Sequence, residues 1–172
     1  FIASTDARVN DPGEDDRIVV SGFVSDTLVS YLVSGAKSPN ELDVGGTVIV
    51  WQDSRNGNSD IYAYDYAKHM EIAVCTNTAS QTKPRISGSL GAWQDTRKWS
   101  GTGEVANDIY AYDLLSHTEL PVATNEMDDR MIGVDGDKIA FRETFYIWDE
   151  RSNYGADPGN VRYYDHASSN TH

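Results

Sequence analysis

The sequence contains one unusual phrase twice, and this repetition constrains the fold more than any other feature. WQDSRNGNSDIYAYD occupies residues 51–65, and WQDTRKWSGTGEVANDIYAYD occupies residues 93–113. The stretches HMEIAVCTN and HTELPVATN follow at matching offsets. Self-similarity at a fixed period indicates stacked repeats, each of which covers its neighbour.

A third, weaker copy follows the first two. KIAFRE aligns with LGAWQD, and NVRYYD aligns with DIYAYD. The repeat length varies at one place, between the tryptophan phrase and the DIYAYD phrase. Stacked repeats collect their insertions in this way, in one loop on one face.

Each repeat reads as four short strands. They are exemplified by KPRIS, GTVIVWQD, DIYAYD and EIAVCT, and no convincing amphipathic helix interrupts them. Four short strands in a unit of this size are typical of a β-propeller blade. We therefore predict an all-β fold with about three to four blades of four antiparallel strands. The prediction is a single propeller-type domain over 1–172, with a partial blade at 1–43, blades at 44–87 and 88–134, and a degenerate blade at 135–172.

The number of blades leaves three alternatives open, because closed propellers typically have four to eight blades. The chain either closes a four-bladed ring by pairing its two ends, or is part of a larger propeller, or has open edges that another chain completes. It starts at Phe1 rather than Met, so we expect either a removed leader or a piece of a longer protein.

The repeated phrase has a physical interpretation as a hairpin. Side chains alternate along a strand, so Trp51 and Asp53 share one face. The RNGN segment supplies residues that tolerate positive φ in a turn. Asp53, Arg55 and Asp60 flank this turn and are predicted to hold the hairpin with charge-assisted hydrogen bonds.

These motifs resemble the TolB-type, WD40-like (PD40) propeller repeat, most strongly over residues 44–134. The resemblance implies a propeller fold and structural roles for the matching positions. It also implies a secreted, periplasmic or cell-surface protein. The matching residues are Trp51, Asp53, Arg55, Asp60, Tyr62 and Asp65 in one copy, and Trp93, Asp95, Arg97, Asp108, Tyr110 and Asp113 in the next. The third copy departs from the pattern at Phe141, Glu143 and Asn160.

The charge balance excludes several partner classes. The chain has 14 Lys and Arg against 27 Asp and Glu, a net charge of −13. An acidic chain of this kind is not expected to bind nucleic acid or anionic lipid.

No run of eighteen apolar residues is present, so we expect no membrane span. The single cysteine, Cys75, is expected to be a buried apolar residue.

Two acidic segments are candidate metal sites. Asp53, Asn56, Asn58 and Asp60 place oxygen ligands at alternate positions, loosely as in a calcium loop. They lack the bidentate acid that normally follows, and the alternative is a purely structural turn. DDRMIGVDGDK supplies Asp128, Asp129, Asp135 and Asp137, with a plain hairpin turn as the alternative. Ca²⁺ is the only cofactor that the sequence suggests.

The insertions supply the candidate contact residues. TFYIWDERSNYGADPGN and RKWSGTGEV are rich in aromatic residues and carry arginine, a composition typical of binding hot spots. The candidates are Trp99, Phe145, Tyr146, Trp148, Arg151 and Tyr154. The alternative is that FYIW forms an extra core or edge strand.

The sequence favours a non-catalytic extracellular propeller module. It would bind protein or carbohydrate, or assemble with itself through open blade edges, in the last case into filaments. We find no Ser, His and Asp set and no G-x-S-x-G motif. The alternative is the propeller segment of a larger secreted enzyme, a peptidase or a polysaccharide-acting protein, whose catalytic residues lie elsewhere.

Overall fold

The computed structural model describes residues 2–6, 17–24, 27–33, 36–101, 106–125, 127–144, 146–147, 155–156 and 159–172. This part of the chain consists of strands and turns. The strands are β1 Ile2–Asp6, β2 Arg17–Val24, β3 Thr27–Val33, β4 Asn40–Gly45, β5 Val48–Asp53, β6 Asp60–Asp65, β7 Met70–Cys75, β8 Gln81–Ser87, β9 Leu90–Asp95, β10 Asp108–Asp113, β11 Thr118–Ala123, β12 Asp128–Asp135, β13 Lys138–Thr144, β14 Tyr146–Ile147, β15 Gly155–Ala156, β16 Asn160–Asp165 and β17 Asn170–Thr171. In the described ranges, no helix is long and apolar enough to cross a membrane.

The strands form four successive antiparallel sheets and one small hairpin. The first sheet contains β1–β3, the second β4–β7, the third β8–β11, and the fourth β12, β13, β16 and β17. The hairpin β14–β15 lies within the longest insertion. The predicted all-β fold with blades of four antiparallel strands is therefore confirmed.

The sheets are offset from the blade ranges drawn on the sequence. Strand β8 falls within the range 44–87, yet it pairs with β9 in the third sheet. Each first strand joins the second through a tight turn that holds a glycine at positive φ, namely Gly46, Gly88 or Gly136. The four-stranded sheets begin at Asn40, Gln81 and Asp128. Each of these residues precedes the start of the predicted blade, which is 44, 88 or 135.

Each sheet has two unlike faces. In the second sheet, Trp51 and Tyr62 pair across β5 and β6 and stack their rings. We call this side the aromatic face. Val50 and Ala63 lie opposite each other on the other side of the same strands, which we call the aliphatic face. The alternation of side chains along a strand produces this division.

The core forms where the aliphatic face of one sheet meets the aromatic face of the next. Val50, Ile61 and Ala63 of the second sheet pack with Trp93 and Tyr110 of the third. The junction between the third and fourth sheets repeats this arrangement with Ile109 and Ala111 against Ile139, Phe141 and Tyr164. The aromatic face of the second sheet packs on Ile18 and Ala36.

The aliphatic face of the fourth sheet differs from its equivalents because it is open to solvent. Val161 is 71% exposed, whereas Ile109 at the equivalent position in the third sheet is 0% exposed. Tyr163 and Ile132 on this sheet are also exposed. Among the described residues, no further sheet covers this surface, which we call the open face.

Candidate functional site

The tryptophan phrase of the second sheet folds around a buried carboxylate, Asp53. Trp51 donates its indole N–H to this carboxylate at 2.9 Å, and Arg55 donates at 2.7 Å. The Arg55 guanidinium also lies 3.9 Å from the centre of the Tyr62 ring and bonds to Glu71 at 2.8 Å. Burial raises the pKa of Asp53, but the hydrogen bonds from Arg55 and Trp51 outweigh it and hold the pKa below its usual value.

The third sheet reproduces this network almost atom for atom. Asp95 accepts the Trp93 indole N–H at 3.0 Å and an Arg97 N–H at 2.7 Å. Arg97 lies 3.9 Å from the centre of the Tyr110 ring and bonds to Glu119 at 2.6 Å. Because every polar partner in the two networks is internal, their geometry is that of hairpin reinforcement.

The fourth sheet rebuilds the network with different residues. Phe141 has no indole donor, and Glu143 stands where Asp53 and Asp95 stand in the other sheets. Glu143 accepts a hydrogen bond from Arg162, which occupies the strand position of Tyr62 and Tyr110. The guanidinium in this copy therefore comes from β16 rather than from the loop.

The polar side chains of the candidate calcium loop bond to one another. Asn56 and Asn58 donate their amide N–H groups to Asp60 at 2.7 Å and 3.0 Å. Asn58 also donates to the carbonyl oxygen of Ala79 at 2.6 Å. Calcium binding by Asp53, Asn56, Asn58 and Asp60 stays a prediction, and each of these groups already has a partner within the protein.

This arrangement gives an expected result for calcium. Adding EDTA to the protein should leave the thermal unfolding midpoint unchanged, because Asp53 and Asp60 are neutralised or bonded internally. Calcium that bound only the native state would raise the midpoint with its concentration. Differential scanning calorimetry with EDTA, with Ca²⁺ and with Mg²⁺ as the control ion measures this. A midpoint that rises with Ca²⁺ and not with Mg²⁺ would contradict the structural interpretation.

Two buried carboxyl groups at the junction of the third and fourth sheets have raised pKa values. Burial raises the pKa of Asp108 to about 6. Burial, reinforced by the charges of Glu143, Asp108 and Asp128, raises the pKa of Asp129 to about 7. Neither oxygen of the Asp129 side chain has a hydrogen-bond partner among the described residues. Asp108 and Asp129 therefore keep their protons at pH values at which an ordinary aspartate is ionised.

The four aspartates singled out in DDRMIGVDGDK do not lie together. Asp128 and Asp129 are buried at the start of β12, whereas Asp135 and the side chain of Asp137 are exposed at the turn that ends it. No group of three His, Cys, Asp or Glu side chains in the described ranges is arranged to hold a metal ion. Sequence reasoning missed that two aspartates from different sheets, Asp108 and Asp129, are both buried at this junction.

The predicted contact residues are only partly described. Trp99 is exposed in a turn after β9, where its backbone N–H donates to the carbonyl oxygen of Thr96 at 3.0 Å. Tyr146 lies in β14, which pairs with β15. The remaining candidates lie outside the described residues, and contact with a partner stays a prediction for the whole set. They are Phe145, Trp148, Arg151 and Tyr154.

Comparison with known proteins supports the fold. A TolB structure from Agrobacterium tumefaciens is 14% identical, with a TM-score of 0.55, over 91% of this chain and 60% of that chain. TolB from Acinetobacter baumannii is 19% identical, with a TM-score of 0.48, over 90% of this chain and 39% of that chain. The tricorn protease is 12% identical, with a TM-score of 0.44, over 91% of this chain and 18% of that chain.

The present chain thus spans less than two thirds of each of these structures. No protein-family model matches its sequence, and no curated protein does. At such low identity a structural likeness reports on the fold alone. Together with the four-stranded antiparallel sheets and the repeated Trp–Asp–Arg hairpins, the likeness to the Agrobacterium tumefaciens structure shows that this chain has the β-propeller fold of TolB.

Proposed function

We propose that the chain is a non-catalytic, protein-binding propeller module that associates through the open face of its fourth sheet. One observation carries the proposal. Val161 is 71% exposed at a position that is buried in both preceding sheets. A surface that the same fold covers twice elsewhere in the chain is suited to a partner of the same shape.

The composition of the open face supports a protein partner. Val161 and Tyr163 supply exposed apolar surface, and Arg142 lies beside Val161 across the β13–β16 pair. Lys138 lies at the edge of the same face, opposite Asp165. Apolar and arginine side chains are enriched at interface centres. On a chain with a net charge of −13, this basic and apolar surface favours an acidic partner.

We propose that a second copy of this chain is the partner, docked through its first sheet. Ile18 of that sheet packs on the second sheet, so Val19 and Leu28 lie on its opposite side. Leu28 is 60% exposed. Docking the open face on this side would continue the order of junctions within the chain. Head-to-tail contacts of this type build open chains of subunits.

The setting of this association is also a proposal. The resemblance of the repeats to those of secreted, periplasmic and cell-surface proteins supports a location outside the cytoplasm. Exposed Trp99 supports a contact role for the insertion loop that carries it.

Sedimentation velocity at several protein concentrations tests the proposed association. The native chain is expected to associate, and Val161→Glu is expected to weaken association roughly tenfold or more, because a charged side chain would replace an apolar contact at the interface. Leu115→Glu, which places the same charge at another exposed apolar residue, is the matched control and should have no effect.

A second variant separates head-to-tail docking from pairing of two open faces. Leu28→Glu should weaken association as much as Val161→Glu in the head-to-tail arrangement. It should have no effect if two fourth sheets pair with each other. A native chain that stays monomeric at every concentration would contradict the proposal.

A further inference from the structure

A cleft of about 360 Å³ lies between the second and third sheets, at the end opposite the tryptophan-phrase loops. Val48, Met70 and Ile72 form its wall on the second sheet, and Leu114 and Leu115 form its wall on the third. Leu115 is 78% exposed, and Met70 is also exposed. A concave, mostly apolar site of this volume has the size of a small-ligand or side-chain pocket.

The origin of the cleft is visible by comparing the repeats. Tyr66, Leu114 and His166 are equivalent residues that directly follow the third strand of their sheets. Their N–H groups donate to the carbonyl oxygens of Thr47, Ser89 and Asp137 at 3.0, 2.9 and 2.8 Å. The backbone hydrogen bond at this position is therefore the same in all three sheets, whereas the side chain differs.

In the second sheet, a tyrosine fills this space. Tyr66 is buried and packs with Trp51 and Ala36 at the junction with the first sheet. Its hydroxyl donates to the carbonyl oxygen of Gly46. The fold thus holds a phenol ring between two sheets and supplies an acceptor for its hydroxyl group.

In the third sheet, Leu114 replaces the tyrosine and is too short to fill the equivalent space. Gly88, the counterpart of Gly46, lines the cleft beside it. In the fourth sheet, His166 occupies this position and lies 3.9 Å from Asp113 of the third sheet. Of these three equivalent positions, only that of the third sheet holds an aliphatic side chain, and this side chain lines the cleft.

We propose that this cleft binds a tyrosine side chain of a protein partner. The ring packs against Ile72, Met70 and Leu114, and the phenol hydroxyl donates to the carbonyl oxygen of Gly88. The bound side chain reproduces from outside what Tyr66 does within the chain. The site is separate from the open face of the fourth sheet, so it does not depend on the proposed self-association.

An NMR titration with N-acetyl-L-tyrosinamide as the probe tests the site. We expect saturable shifts of the methyl signals of Ile72, Leu114 and Met70, with a dissociation constant of roughly 1 mM for a ligand of this size. N-acetyl-L-phenylalaninamide lacks the hydroxyl and should bind about two- to tenfold more weakly, the value of one net hydrogen bond. Equal affinity for the two probes would remove the hydroxyl contact from the proposal.

Variants provide the controls. Leu114→Tyr should fill the cleft from within, abolish the shifts and raise the thermal unfolding midpoint. Thr78→Tyr, which adds a tyrosine at an exposed position at the opposite end of the sheets, should leave the titration unchanged. Met70→Lys changes an exposed residue at the rim and should weaken binding without unfolding the chain. The absence of saturable shifts, or shifts that persist in both cleft variants, would overturn the inference.

Discussion

Replacing Asp95 with alanine should lower the free energy of unfolding by about 3–5 kcal/mol. The carboxylate is fully buried and accepts hydrogen bonds from the Trp93 indole and the Arg97 guanidinium. Without it, the indole N–H is left buried with no acceptor, and Arg97 loses the carboxylate that it pairs with in the hairpin. A loss of this size is a large part of the 5–15 kcal/mol that stabilises a typical domain.

Urea denaturation followed by tryptophan fluorescence measures this change. Asp137→Ala is the control, because Asp137 is exposed and its side chain bonds only to Lys138 among the described side chains. We expect that control to change stability by less than about 0.5 kcal/mol. A loss below about 1 kcal/mol for the Asp95 variant would mean that the hairpin does not depend on its buried carboxylate.

Stability should fall as the pH rises from about 4 to about 7, because of Asp129. Its pKa is about 7 in the folded chain, raised by burial and by the charges of Glu143 and Asp108. An unfolded aspartate titrates near pH 4. Between these values the folded state retains a proton that the unfolded state has released, so each increase in pH favours unfolding. The full contribution is about 4 kcal/mol.

Asp129→Asn should remove most of this decline and stabilise the chain at neutral pH. Asp108 contributes with the same sign up to about pH 6, so a smaller decline should remain. Urea denaturation across this pH range measures the effect, with Asp137→Asn as the exposed control. A native stability that stays level or rises between about pH 4 and pH 7 would contradict the assignment.

The hairpins and their two faces could be predicted from sequence because both depend on local pattern. The alternation of Ile61 and Ala63 with the tyrosines between them fixes which side of the strand each residue occupies. The blade boundaries were harder to predict. Strand β8 has a weak alternating pattern, and its partner is decided by the glycine turn that follows it.

The buried acids could not be predicted, because their environment is assembled from distant segments. Two of the charged neighbours of Asp129, Asp108 and Glu143, belong to β10 and β13, which lie in two different sheets. Its sequence neighbour Asp128 reaches Arg130 at 2.6 Å, whereas Asp129 points into the junction and has no such partner. The cleft, by contrast, could be predicted from sequence, because the aligned residues Tyr66, Leu114 and His166 differ in side chain at one position of the repeat.

The packing of an aliphatic face against an aromatic face gives the row of sheets a direction. Every described junction joins an aliphatic surface on one side to an aromatic surface on the other. A tandem gene duplication that keeps the reading frame would thus produce a unit that already fits both of its new neighbours. A blade inserted in the reverse orientation would place two aliphatic or two aromatic faces against each other. The fold can therefore be extended by duplicating a blade in the same orientation, but not by inserting a reversed one.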